Sequence, residues 1–216
     1  MSVDQAAGLR RRTTSQQVRC IHCFFDSPTA SARLAQALHD LGQVSLLVDL
    51  HGRLFSASAT RSLFDWKHQL AYKQLNTLPQ LYGDGWLAPG LRLDTADLLQ
   101  AWQAYDFVIL DAGPIGNTFM LLQDTHSPVI AEVQPGVDSP QRVFRLLKTL
   151  SQEERPVSIG LLGDTANCDQ VLAACSHFFE QSFTQTVYSV ALETDAFAAL
   201  AVRMTHEETH RLTRCT

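Results

Sequence analysis

Two aspartates close apolar runs in this sequence. Asp49 ends Leu46-Leu47-Val48-Asp49, and Asp111 ends Phe107-Val108-Ile109-Leu110-Asp111. A carboxylate at the end of a buried parallel strand stands where such sheets present ligands, and it can serve a divalent cation or an attacking water. The loop Phe24-Phe25-Asp26-Ser27-Pro28-Thr29-Ala30 joins the first apolar run to a helical pattern and is the third candidate. A loop in that position cradles phosphate when glycines let its N–H groups curl around the oxygens and a lysine neutralises them. This loop has neither residue type, Pro28 removes a donor, and Asp26 adds negative charge. Repulsion and missing contacts should cost a bound triphosphate on the order of several kcal/mol. Ser27 and Thr29 supply the remaining polar side chains of the loop.

Other motifs carry less. Cys20-x-x-Cys23 lies on an expected strand, where residues three apart face opposite sides, and no second such pair follows. Five cysteines at irregular spacing do not make a disulfide framework, so buried thiols are expected. His206-Glu207-x-x-His210 has the spacing of a zinc-protease helix, but no third ligand accompanies it. A solvated helix face is the expectation there, and no metal or other cofactor is assigned.

Strands are expected at Val18–Phe25, Val44–Leu50, Phe107–Asp111, Val129–Val133, Val157–Leu162 and Thr186–Val190, with a short one at Trp86–Ala88. Helices are expected at Thr29–Leu41, with Leu34, Ala37, Leu38 and Leu41 on one face and Gly42 as its stop, and at Asp94–Trp102. Others are expected from Ser139 as N-cap and Pro140 as first residue to Leu150, at Cys168–Glu180 and at Asp195–Arg211. Residues 53–82 read as helical with weak periodicity. Apolar strands alternating with amphipathic helices imply a three-layer, doubly wound, mainly parallel α/β sheet. The chain has 216 residues, 45% hydrophobic and 18% charged, which suits one well-buried core. No apolar run reaches membrane-spanning length and no secretory signal opens the sequence, so a cytoplasmic protein is expected. Residues 1–19 carry +3 and the rest −8, for a net of −5. An acidic body is a poor partner for nucleic acid.

The order of these segments resembles the MinD/ParA family of deviant P-loop ATPases, which have a SIMIBI-type fold. Ala32–Leu38 with Leu41-Gly42 is similar to the family's first helix, and Leu46–Asp49 to its second strand. Tyr105–Pro114 is similar to the strand carrying the Walker B carboxylate, and Ser127-Pro128-Val129 through Leu150 to the next strand and helix. The resemblance implies that Asp49 and Asp111 descend from residues serving the γ-phosphate and Mg²⁺. The loop departs from the family's glycine-rich KGGVGKT-like turn. Asp26, Ser27, Thr29, Asp49 and Asp111 thus form a vestigial nucleotide site from which no ATP turnover is expected.

Asp4-Gln5-Ala6-x-x-Leu9-Arg10 precedes this body. Ser2 and Gln5 could form a capping box, and Gln5 and Leu9 would lie one helical turn apart. The element resembles the DQAxxLR segment of the FlhG (YlxH/FleN) family, regulators of flagellar number and placement whose segment activates the GTPase FlhF. The resemblance implies a 1–17 activator segment, an 18–193 MinD-like domain and a 194–216 C-terminal helix. It also implies that Leu9 is buried by FlhF, that Arg10 meets an anionic group, and that Gln5 completes the partner's catalytic site in trans. A flagellar switch component or transcriptional regulator is a further implied partner, and the cell pole or flagellar base an implied address. Phe197, Leu200, Val202 and Met204 form a short apolar patch where relatives carry a membrane helix. The patch is narrow and poor in basic residues, so packing on the body is expected and any membrane contact is weak or indirect. Two rivals remain: an ATP-binding switch with an unorthodox site on Asp49 and Asp111, and a polar-localisation or pilus-assembly scaffold.

Overall fold

Strands that are apolar at every position can be stable only with both faces covered, and the computed structural model arranges them in that way. It describes residues 18–27, 29–49, 77–78, 105–116, 127–136, 138–152, 158–191 and 195–212. In chain order these form β1 (Arg19–Phe24), α1 (Ala30–Asp40), β2 (Ser45–Asp49), β3 (Thr77–Leu78), β4 (Phe107–Asp111), β5 (Val129–Val133) and α2 (Asp138–Gln152). Then come β6 (Ile159–Gly163), α3 (Thr165–Phe178), α4 (Gln181–Thr184), β7 (Val187–Ala191) and α5 (Ala196–Leu212). The strands pair in the order β3-β2-β4-β1-β5-β6-β7, parallel throughout. The doubly wound α/β fold expected from the sequence is therefore present, with β1 at its centre.

Alternation along each strand sorts side chains between two cores. Cys20, Phe24, Val108, Leu110, Val129 and Ala131 pack beneath α2 and α3 through Val143, Leu146, Leu147, Val171 and Cys175. Ile21, Cys23, Ile109 and Ile130 pack beneath α1 and α5 through Leu34, Leu38, Phe197, Leu200 and Met204. Cys20 and Cys23 thus face opposite sides. Burial pushes the Cys20 thiol up to about 12, and burial with the nearby Asp111 raises that of Cys23. Thiols held protonated in this way are poor nucleophiles and poor metal ligands.

Several boundaries differ from expectation. α1 ends in a Schellman motif: the Gly42 N–H reaches the His39 carbonyl at 2.8 Å, the Gln43 N–H reaches Leu38 at 3.0 Å, and Gly42 has φ +75°. That turn carries Leu41 out of the apolar face into solvent. α2 begins at Asp138. Ser139 is therefore inside the helix and not its N-cap, and its hydroxyl accepts the Gln134 N–H at 2.9 Å. α3 begins three residues earlier than expected because Asp164 caps it, accepting the Asn167 N–H at 3.0 Å. Thr77–Leu78, read as helical, pairs with β2 instead. The expected strand at Trp86–Ala88 and helix at Asp94–Trp102 lie outside the described residues.

The C-terminal helix is part of this architecture. Phe197, Leu200 and Met204 are buried, while Val202, on the outer side, is 41% exposed. Three arginine–aromatic contacts surround the helix: Arg33 lies 4.4 Å from the Phe197 ring, Arg203 3.5 Å from Tyr188, and Arg19 4.0 Å from Phe107. Arg19 also donates to the Met204 carbonyl. Among the described residues no helix is long and apolar enough to cross a membrane.

Two stability predictions arise. Phe197→Ala should cost about 3–5 kcal/mol in urea unfolding, as expected for truncating a buried aromatic ring. His22, enclosed in β1, has its pKa pushed down to about 4 by burial, against an ordinary value of 6.5. The unfolded chain therefore binds a proton that the folded chain refuses between those values. The stability is fully present above about pH 6.5 and is lost as pH falls towards 4. At about 1.4 kcal/mol per pH unit this amounts to about 3 kcal/mol. Urea titrations at neutral pH and near the lower limit should show His22→Leu losing less stability on acidification than the wild type, by roughly that amount.

Candidate functional site

All strands run the same way, so β1, β2, β4 and β5 deliver their carboxyl ends to one edge. Asp49 and Asp111 stand directly opposite each other in the β2–β4 register, and Asp111 stands opposite Cys23 of β1. Asp111 is fully buried, and its Oδ1 accepts the Gly113 N–H at 3.1 Å in a tight turn where Gly113 has φ +68°. The Ala112 N–H continues the ladder to the Cys23 carbonyl at 2.9 Å. Only the backbone position of Asp49 is described.

The loop after β1 turns across this edge. Its decisive contact comes from a residue that the sequence reading missed. Glu132 Oε2, on β5, accepts the backbone N–H of Asp26 at 2.7 Å and of Ser27 at 3.1 Å. Two successive backbone donors converging on one oxygen form an anion-binding nest, and here the anion is the protein's own carboxylate. The Gln134 side-chain amide donates to the other oxygen, Oε1. Asp26 turns its carboxylate towards the Arg142 guanidinium on α2, at 3.5 Å. The negative charge expected from Asp26 is thus directed to α2, and Glu132 supplies the charge that meets the loop amides. Ser27 Oγ and Thr29 Oγ1 lie 3.1 Å apart, and Thr29 precedes α1 without a side-chain cap. Asp26, Ser27, Thr29, Asp49 and Asp111 therefore lie along one edge of the sheet.

Glu132 had a legible signal. It is the one charged residue in Val129-Ile130-Ala131-Glu132-Val133, a strand buried at every position. A carboxylate in such a run needs hydrogen-bonding partners, because burying it alone is expensive. The loop amides supply them.

An anion brought to about 4 Å from Glu132 would meet about 4 kcal/mol of repulsion per unit charge at an effective dielectric of 20. Among the described residues no three His, Cys, Asp or Glu side chains converge as metal ligands. His206 is exposed on α5. The expected activator residues Asp4, Gln5, Ala6, Leu9 and Arg10, together with Pro28 of the loop, lie outside the described residues.

The fold is shared with known proteins. A ParA family ATPase from Chlorobium tepidum TLS superposes with a TM-score of 0.55 at 18% identity, covering 86% of this chain and 89% of that one. The MinC:MinD cell division protein complex of Aquifex aeolicus matches with a TM-score of 0.50 at 15% identity, covering 85% and 86%. No family model and no curated protein matches the sequence. The MinD/ParA-like fold implied by the sequence is thereby established.

Glu132→Ala should leave the two loop amides without their acceptor and destabilise the protein by about 3–6 kcal/mol, since each of the two hydrogen bonds to the lost charge contributes about 1.5–3 kcal/mol. Inorganic phosphate should restore part of the melting temperature of this variant in a thermal shift assay and leave the wild type unchanged. A wild type stabilised by phosphate as strongly as the variant would show that the nest is open.

Proposed function

We propose that this protein is a MinD-like body that does not hydrolyse ATP and that stimulates an FlhF-type GTPase through its N-terminal segment. The observation that carries the first half is the Glu132 carboxylate in the amide nest, where a phosphate would have to sit. A loop without glycine or lysine could be a weak nucleotide site, whereas one whose donors are already bound to an internal anion has a direct competitor for the phosphate. The buried Asp111, turned back onto the Gly113 N–H, supports the same reading.

The second half rests on Asp4-Gln5-Ala6-x-x-Leu9-Arg10 preceding a fold of this class. A glutamine supplied in trans can orient the attacking water at a GTPase centre without titrating. Leu9 would be the apolar anchor and Arg10 the contact with a carboxylate or phosphate of the partner. A body that needs no nucleotide to hold its shape would act as a constitutive docking module carrying this segment. On this reading the protein is a regulator of flagellar number or placement, recruited to the cell pole or flagellar base. A flagellar switch component or a transcriptional regulator would then be a second partner.

GTP hydrolysis by FlhF, alone, with this protein and with its Gln5→Ala variant, tests the proposal. Stimulation by the wild type that falls at least about tenfold in the variant is expected, because a water-orienting residue acts on the chemical step. Absence of stimulation by the wild type would refute the activator role. Stimulation unchanged in Gln5→Ala would place the activity in the body.

A further inference from the structure

Glu132 holds the turn after β1, and a second side chain holds Glu132. Glu132 lies near the carboxyl end of β5 and Gln134 just beyond it, so the period of two puts both on one side of the sheet. Glu132 is buried and accepts three hydrogen bonds among the described residues. The Asp26 and Ser27 N–H groups meet Oε2 at 2.7 and 3.1 Å, and the Gln134 side-chain amide meets Oε1. An ionised carboxylate only accepts, so the nitrogen of the Gln134 amide must face it. Gln134 is itself fixed from the other side: its backbone N–H donates at 2.9 Å to the hydroxyl of Ser139, which is buried in the first turn of α2. From the same helix Arg142 reaches back to Asp26 at 3.5 Å. The turn, Glu132, Gln134 and α2 thus close a ring of polar contacts, and Gln134 is its link between carboxylate and helix.

Both carboxylate oxygens need a donor at a buried site. An oxygen left bare there is an unsatisfied acceptor, which favours turning the group out towards water. The last torsion of a glutamate is broad, so little opposes that rotation. Loss of one hydrogen bond to a charged group shifts such a balance about tenfold or more. The two amides left behind are donors in the arrangement that receives a phosphate oxygen. On the reading that Glu132 holds those amides, we infer that Gln134 is the positioning residue that keeps it there, and that Gln134 thereby sets the preference of the turn for an internal carboxylate over a phosphate. A phosphate binds only the molecules from which the carboxylate has swung out, so its apparent affinity is reduced by that fraction. Gln134 keeps the fraction small without touching the ligand. An apolar residue in its place leaves the amides where they are and frees their competitor to move.

Gln134→Met keeps the length of this half-buried side chain and removes its donor. Inorganic phosphate is the probe, with sodium chloride at matched ionic strength as the control. The Asp26 and Ser27 amide signals in ¹⁵N–¹H NMR are the readout, because a loss of packing alone does not make them follow phosphate. In Glu132→Ala both signals should move saturably. In Gln134→Met they should do the same, reaching half-saturation at no more than about one tenth of the phosphate concentration that the wild type requires. Circular dichroism verifies that the variants are folded. If Gln134→Met is not, Ser139→Ala, which frees the Gln134 backbone, takes its place and should show the same gain. Signals that follow phosphate no better than those of the wild type, while Glu132→Ala responds, would overturn the role of Gln134 and leave that of Glu132 standing. Absence of a response in Glu132→Ala would overturn the nest itself, and the role of Gln134 with it.

Discussion

Backbone N–H groups turned inward by a loop must find an acceptor, and Glu132 satisfies those of Asp26 and Ser27 in the β1–α1 turn. The parallel sheet creates the requirement: it aims the β1–α1 turn at the edge where β4 and β5 also end. A carboxylate one strand away then does what a phosphate oxygen does in a nucleotide-binding loop. Glu132 reaches the turn from the α1 side of β5, because its strand neighbours Ala131 and Val133 belong to the opposite core. The contact therefore follows from strand alternation and needs no special backbone. Glu132 anchors the turn through its amides, and Asp26 pairs with Arg142 and ties the turn to α2.

The same economy is seen on the other face. α5 is as much a covering layer as α1, and it buries Phe197, Leu200, Ala201 and Met204 against the strands. Phe25, the residue at the start of the nucleotide-like turn, meets Phe197 edge-on at 6.2 Å. The turn and the C-terminal helix are thus in direct mechanical contact. With Arg33 over Phe197 and Arg203 over Tyr188, the apolar residues of α5 are committed to the core, and only Val202 among the expected patch faces water.

Much of this was legible in the sequence because apolar run length and helical period report burial directly. β4 and β5 have the expected boundaries, and Gly42 acts as the helix stop because only its left-handed φ closes the Schellman turn. Boundaries set by a single polar side chain were harder. Asp164 captures the Asn167 N–H and lengthens α3, and Ser139 bonds backwards to Gln134, a geometry that the Ser-Pro pair equally resembles as a cap. Thr77–Leu78 carries no strand signal in the sequence, because a two-residue strand is defined by its partner β2 and has no period of its own. The edge residues Asp49 and Asp111 stood out as carboxylates ending apolar runs. Glu132 did not, since its role depends on a contact spanning more than a hundred residues of sequence. The acidic residue within an apolar strand was the available clue, and burial cost is the reason it needed partners.

If Glu132 occupies the amide nest, Mg·ATP should not displace it. The most direct test is to follow the Asp26 and Ser27 amide resonances by ¹⁵N–¹H NMR while Mg·ATP is added. Both signals should stay at their starting positions throughout the titration, whereas in Glu132→Ala they should move saturably. Saturable movement of both signals in the wild type would mean that the nucleotide displaces Glu132 and that the nest is open to phosphate.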